Sequence, residues 1–284
     1  RPHLGIGLAV VLMSRSEEGS ERDLDADALR LDVFGFGTVA EERARHDKAM
    51  TGLGYAPARV AASGTLPLGR RMSYSLELPE GCVRLDWVSG APLRGVEAWL
   101  YAPDGALLAA DRGKSPRLFR CGPAGTARLD ASTLSRPGPF ALELYAERGT
   151  PKLLETHPLA ASRLLGRMIE QGLIPTARQV GAVYENELTS TGLARQALTL
   201  PFGRCLDVTL AVGAGAQGVE LRLVRPDGTE VGLSRGETTT SLHACALDAT
   251  TGSTPEVTAE MRVEAGAATG LLTARQGDPR PKSP

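Results

Sequence analysis

The chain has 284 residues, a formal net charge of −1 at pH 7, and charges of both signs mixed along its length. It offers no basic stripe to neutralise phosphates or hold an acidic lipid surface, which argues against nucleic acid and anionic membranes as partners. The length suits two domains with separate cores; the sparse aromatics (4%) leave those cores to Leu, Val and Ala, and 33 Gly with 19 Pro favour turns and short strands.

From the N-terminus, residues 4–13 form the most apolar run. It is too short to span a bilayer. With Arg1 and His3 as its polar flank it reads as the remnant of a signal or membrane anchor, or equally as a buried strand. Residues 14–27 are charged and read as a linker, and residues 28–36 alternate apolar and polar like a strand. Thr38 precedes Glu41 by three, a capping box that opens a helix which Gly52 can end. The run Gly35-Phe36-Gly37-Thr38-Val39-Ala40 imitates a dinucleotide-binding fingerprint. That fingerprint needs a second parallel strand with an acidic end. The chain has no room for one before Gly52-Leu53-Gly54-Tyr55-Ala56-Pro57, so no nucleotide site is expected.

From residue 59 short alternating segments follow one another. Tyr74, Leu76 and Leu78 share a face; Val83, Leu85 and Trp87 alternate with Arg84 and Asp86; Val96, Ala98 and Leu100 alternate with Glu97, Trp99 and Tyr101. Segments near Leu107, Leu118, Ala127 and Phe140 continue the series, with turn residues between them. About eight strands at this spacing predict an antiparallel sandwich or jelly roll. Residues 150–173 then read as a helix, with Pro158 in its first turn, Gly172 at its end, and Ala161, Leu164, Leu165 and Met168 on one face. A second run of strands occupies residues 179–275, opening near Val180, and residues 276–284 read as a disordered tail.

The two strand-rich regions echo each other. Gly95-Val96-Glu97 with Pro103-Asp104-Gly105 recurs as Gly218-Val219-Glu220 with Pro226-Asp227-Gly228, and Arg112-Gly113 recurs as Arg235-Gly236. Twelve of the thirty-two positions from Cys82 to Gly113 are identical, without a gap, from Cys205 to Gly236, which points to duplication. Cys121 and Cys245 close the two units, so the spacing predicts the disulfides Cys82–Cys121 and Cys205–Cys245 and a location outside the cytosol. Four buried free thiols in a cytosolic protein are the alternative.

Each unit resembles the bacterial pre-peptidase C-terminal (PPC) domain, a small β jelly roll. The resemblance rests on the strand at residues 60–66, on residues 74–81, on the Gly-Val-Glu strand with its Pro-Asp-Gly turn, and on residues 123–126 and 137–144. It departs from the family where a strand rich in acidic residues is reduced to Glu97 and Glu220. It implies a mainly β fold of two tandem sandwiches joined by a helical linker: an N-terminal segment (1–58), a first sandwich (59–147), a linker (148–178), a second sandwich (179–275) and a tail. It also implies secretion, to the periplasm or cell exterior of a bacterium, and an accessory or binding role, and it carries over no catalytic residues.

The residues agree with that role. His3, His46, His157 and His243 are scattered, no nucleophile motif occurs, and no cofactor, metal or catalytic residue is expected. Thr238-Thr239-Thr240-Ser241 reads as strand threonine, and Asp104 and Asp227 read as turn residues rather than cation ligands. The sharper expectation concerns Trp99 and Tyr101. By strand parity they face outward with Glu97, and the second unit has Arg222 and Val224 there, so the fold does not require them. They suit a platform for a protein or a cell-surface glycan, unless the linker helix or the other sandwich covers them. The expected function is a non-enzymatic structural or protein-interaction module, the alternative being a carbohydrate- or surface-binding accessory of a secreted enzyme system.

Overall fold

The computed structural model describes residues 37–147, 149–174, 176–200, 204–245 and 256–277. The apolar run at 4–13, the linker at 14–27, the expected strand at 28–36 with Gly35 and Phe36, and residues 278–284 of the tail lie outside the described residues.

The first helix, α1 (Val39–Gly52), starts where the capping box places it: Thr38 accepts from the Glu41 amide, and the Glu41 side chain accepts from the Thr38 amide. Eight strands follow: β1 (Arg59–Leu66), β2 (Met72–Leu78), β3 (Gly81–Ser89), β4 (Arg94–Tyr101), β5 (Leu107–Gly113), β6 (Arg117–Gly122), β7 (Gly125–Arg136) and β8 (Gly138–Ala146). They form two four-stranded antiparallel sheets, ordered β1-β8-β3-β6 and β2-β7-β4-β5. The inward positions are those that the alternation selects: Val83, Leu85 and Trp87 of β3 meet Val96, Ala98 and Leu100 of β4 in one core. Trp87, 2% exposed, stacks on Phe140 with ring centroids 4.1 Å apart.

The second unit is built from β9 (Val183–Thr189), β10 (Ala194–Thr199), β11 (Cys205–Val212), β12 (Ala216–Val224), β13 (Glu230–Gly236), β14 (Thr239–Cys245) and β15 (Glu256–Gly277). Its strand order matches the first, with one change. The long β15 does the work of both β7 and β8: its first part pairs with β10 and β12, its later part with β9 and β11. The change of sheet centres on Gly266, at φ +79°, where a Cβ would strike the Gly215 carbonyl. Only glycine suits that corner.

Between the units lie α2 (Leu153–Thr156) and α3 (Pro158–Glu170). The helical stretch divides at His157, whose ψ of 63° departs from the helix just before Pro158, as the steric demand of proline on its predecessor requires. Ala161, Leu164, Leu165 and Met168 are buried, and they close a third core. That core joins Cys82, Phe119 and Cys121 on the outside of the first sandwich to Ala211 and Leu271 on the outside of the second. The second unit opens later than its sequence suggests. Val180 ends a 3-10 turn and is spent on this core, so the strand begins at Val183.

The helix α1 docks differently, on the outer side of β3 and β8. It buries Glu42, His46 and Met50, so it meets the sheet largely through charge. His46 Nε2 lies 2.9 Å from Asp86 Oδ2, Arg84 Nε lies 2.8 Å from both Asp86 oxygens, and Arg117 Nε lies 3.4 Å from Oδ1. Beside them Arg43 pairs with Glu143 at 2.8 Å, the Tyr145 hydroxyl lies 2.7 Å from Glu143 and 3.0 Å from Asp47, and Tyr55 donates to Glu147. The Arg84 guanidinium lies 5.8 Å and 5.9 Å from the ring centroids of Tyr55 and Phe119. A His beside an Asp resembles a catalytic pair, but both are sealed beneath the helix, at 5% and 3% exposure. They act as a lock.

Burial pushes the Asp86 carboxyl upward, but Arg84, then His46 and Arg117, outweigh it and hold the group well below the usual carboxylate range. A depressed folded pKa gives stability that is complete above the unfolded value, about 4, and is lost as pH falls below it. Asp86→Asn should therefore cost about 3–5 kcal/mol at neutral pH, because Arg84 stays buried without its counter-charge. It should also flatten the loss of stability on acidification. Urea midpoints across the acid range test both; an unchanged midpoint at neutral pH would show the lock to be dispensable.

Candidate functional site

The strand register explains what surrounds Trp99 and Tyr101. Val96, Ala98 and Leu100 point into the core, so Glu97, Trp99 and Tyr101 point out, opposite Ser132, Asp130 and Arg128 of β7. On the next strand Ser73 pairs with Asp130, and Arg71 stands just before β2. Both rings are half-buried. Arginines lie against them: Arg71 Cζ lies 4.3 Å from the centroid of a Trp99 ring, and Arg128 Cζ lies 4.7 Å from that of Tyr101.

Asp130 holds these arginines in place. Its carboxylate, 5% exposed, accepts from Ser73 Oγ at 2.7 Å and lies 3.3 Å from Arg128 Nε and 3.7 Å from Arg71 Nε. Arg71 also reaches the Tyr101 hydroxyl at 3.5 Å. Two guanidiniums thus share one carboxylate beside two half-buried rings. The face is cationic and aromatic, with Arg71 and Arg128 exposed and both rings half-buried. Glu97 sits at its margin, opposite Arg112 of β5. Asp104 and Asp227 take up turn duty: each accepts a backbone amide two residues on, from Ala106 at 2.9 Å and Thr229 at 2.8 Å.

The same face of the second sandwich is occupied by arginine–glutamate pairs. Glu220 accepts from Arg235 at 2.7 Å and from Arg262 at 2.9 Å, Arg222 lies 2.9 Å from Glu230, and Arg195 lies 3.1 Å from Glu260. Arg262 foremost, with Arg235, holds the Glu220 carboxyl below its ordinary value against a smaller opposing effect of burial. Each arginine here meets a carboxylate, and neither ring is present.

A cavity of about 640 Å³ opens where α3 meets both sandwiches, lined in part by Arg112, Lys114, Arg117, Arg163 and Arg167. Several of these cations already serve the joint. Arg163 donates to the Val212 and Gly213 carbonyls at 2.6 and 2.8 Å, Arg117 faces Asp86 at 3.4 Å, and Arg167 faces Glu170 at 3.6 Å. Among the described residues, one group of potential metal ligands lies close together, namely Cys205, His243 and Cys245. Both predicted disulfides are present, Cys82–Cys121 and Cys205–Cys245. No helix among the described residues is long and apolar enough to cross a membrane.

Sequence reasoning finds Trp99, Tyr101 and Glu97 but misses Arg71, Ser73, Arg128 and Asp130. Their alternation marks an outward face, yet only the pairing of β4 with β7 puts them beside the rings.

Trp87 and Trp99 should respond very differently to removal. Trp87→Ala empties the core and should cost about 3–5 kcal/mol. Trp99→Ala removes a half-exposed ring and one cation–π contact and should cost about 1 kcal/mol. Urea unfolding of the two variants tests this; equal losses would mean that Trp99 belongs to the core.

No family model and no curated protein matches the chain. Solved structures similar to it include the PBSX exported protein XepA, at 12% identity over 77% of this chain and 86% of that one, with a TM-score of 0.25. The protein YhaK from Escherichia coli is similar at 14% identity over 78% and 86% of the two chains, with a TM-score of 0.24. The major capsid protein P2 from Bacteriophage PM2 is similar at 12% identity over 78% and 99%, with a TM-score of 0.23. Likenesses this distant carry no functional argument; the fold rests on the sheets themselves.

Proposed function

We propose that this chain is a non-enzymatic, extracytoplasmic protein-interaction module of two PPC-like sandwiches, and that it engages an acidic segment of a partner protein through Arg71, Trp99, Tyr101, Arg128 and Asp130. The observation that carries this reading is the contrast between two faces at the same place in the same strand order. One is a lattice of arginine–glutamate pairs with no aromatic ring among them. The other holds two rings under two arginines that share a single carboxylate.

Trp, Tyr and Arg are the residue types that dominate hot spots in protein interfaces. The surplus guanidinium charge favours an acidic partner and steers its approach. A flat sugar platform needs a bare ring face, and each ring here carries a guanidinium, which favours a protein partner over a glycan. The two disulfides support an oxidising compartment, the periplasm or the cell exterior of a bacterium.

Selection of a phage-displayed peptide library on the full chain should yield acidic peptides. Their affinity should fall about thirtyfold or more in Trp99→Ala, the loss of a hot spot of about 2 kcal/mol. Arg222→Ala, on the counterpart face, should leave it unchanged. Peptides that bind Trp99→Ala as well as wild type would overturn the proposal, and glycan-array binding lost in the same variant would replace it with the carbohydrate reading.

A further inference from the structure

The two disulfides occupy matching places in the sheets but sit in different chemistry. Cys82 and Cys121, each 1% exposed, lie in the core that α3 closes. The residues paired two positions further along those strands are Arg84 and Phe119. In the second sandwich Cys205 is buried but Cys245 is half-exposed, and the corresponding pair is Asp207 and His243. His243 Nδ1 lies 2.7 Å from Asp207 Oδ1, and its Nε2 lies 3.3 Å from Cys245 Sγ. One ligand atom from each of Cys205, His243 and Cys245 falls within 4.8 Å of the others. A disulfide needs neither the imidazole nor the carboxylate, as the first one demonstrates.

We propose that this corner is a thiol-gated zinc site: a dithiol reductant opens Cys205–Cys245, and the two sulfurs with His243 Nε2 then bind Zn²⁺. The reductant's thiolate attacks the half-exposed Cys245 sulfur, the S–S bond breaks, and Cys205 leaves as a thiolate. The second thiol of the reductant closes on its own sulfur in the mixed disulfide and releases Cys245. Two electrons pass to the protein, the reductant becomes a cyclic disulfide, and its two protons reach Cys205 and Cys245. Zinc then displaces those two protons. Donation of Nδ1–H to Asp207 fixes the imidazole tautomer that leaves the Nε2 lone pair facing the sulfurs, the arrangement in which a carboxylate supports a zinc-bound histidine. Two cysteines and one histidine leave the fourth tetrahedral position to water. Cys82–Cys121, walled in by α3, Arg84 and Phe119, stays oxidised.

The test uses the full chain, treated with dithiothreitol, freed of it without air, and titrated with Co²⁺ as a visible stand-in for zinc. Alkylation and mass mapping should find Cys205 and Cys245 labelled and Cys82 and Cys121 still joined. The reduced protein should develop the absorption of tetrahedral thiolate-bound cobalt, and the oxidised protein should not. Asp207→Asn should weaken metal binding about 10–100-fold. His243→Ala should lose the tetrahedral spectrum, and the double variant Cys205→Ser, Cys245→Ser, which keeps the first disulfide, should bind no cobalt. The proposal fails if reduced wild type shows no such spectrum, if His243→Ala binds as wild type does, if Cys82–Cys121 opens first, or if reduction unfolds the second sandwich by circular dichroism.

Discussion

The molecule depends on one shared apolar stripe. Each sandwich buries its own inner faces but also carries apolar residues on the outside of one sheet: Phe119 and the Cys82–Cys121 bridge on the first, Ala211 and Leu271 on the second. Neither sandwich can hide these alone. Leu164, Leu165 and Met168 of α3, with Ala161, cover both at once. Fully burying a side chain of this size contributes about 1.5–3 kcal/mol, so the joint is a core in its own right. Arg163 ties it further by donating to two carbonyls of the second sandwich.

That arrangement decides which surfaces remain for function. The sheet faces that α3 and α1 cover are spent on holding the chain together. On the sheet β2-β7-β4-β5, whose edge strand β5 meets α3, the half-buried rings of Trp99 and Tyr101 lie under Arg71 and Arg128. The counterpart face of the second sandwich uses the same backbone positions for ion pairs that satisfy one another. Exposed pairs of this kind contribute little stability, and that face lacks the two rings. The contrast between the disulfides follows the same logic. Cys82–Cys121 lies in the core that α3 closes, whereas Cys245 is half-exposed with His243 and Asp207 beside it.

Periodicity made the strands, the inward set and the position of Trp87 legible in the sequence, because a strand's parity is a local property. The capping box and the stripe on α3 were legible for the same reason. Register was not. Arg71, Arg128 and Asp130 reach Trp99 and Tyr101 only through the pairing of β2, β7 and β4, which no single sequence reveals. His46 meets Asp86 across a gap of forty residues, through the docking of a helix whose own apolar face is thin. The cluster of Asp207 and His243 was within reach. Once Cys205 is set opposite Cys245 in an antiparallel pair, the residues two steps inward on each strand must also face each other, and those are Asp207 and His243. Scanning the histidines for local spacing alone passed over that consequence.

The central claim, that the arginine-capped rings of the first sandwich form the partner-binding face, is tested most directly by hydroxyl-radical footprinting of the full chain with and without a selected acidic peptide. The account expects protection confined to β4 and β7, at Trp99, Tyr101 and their arginine neighbours, with β12 and β13 unchanged. Protection on β12 and β13, or at the joint around α3, with Trp99 still fully reactive, would contradict it.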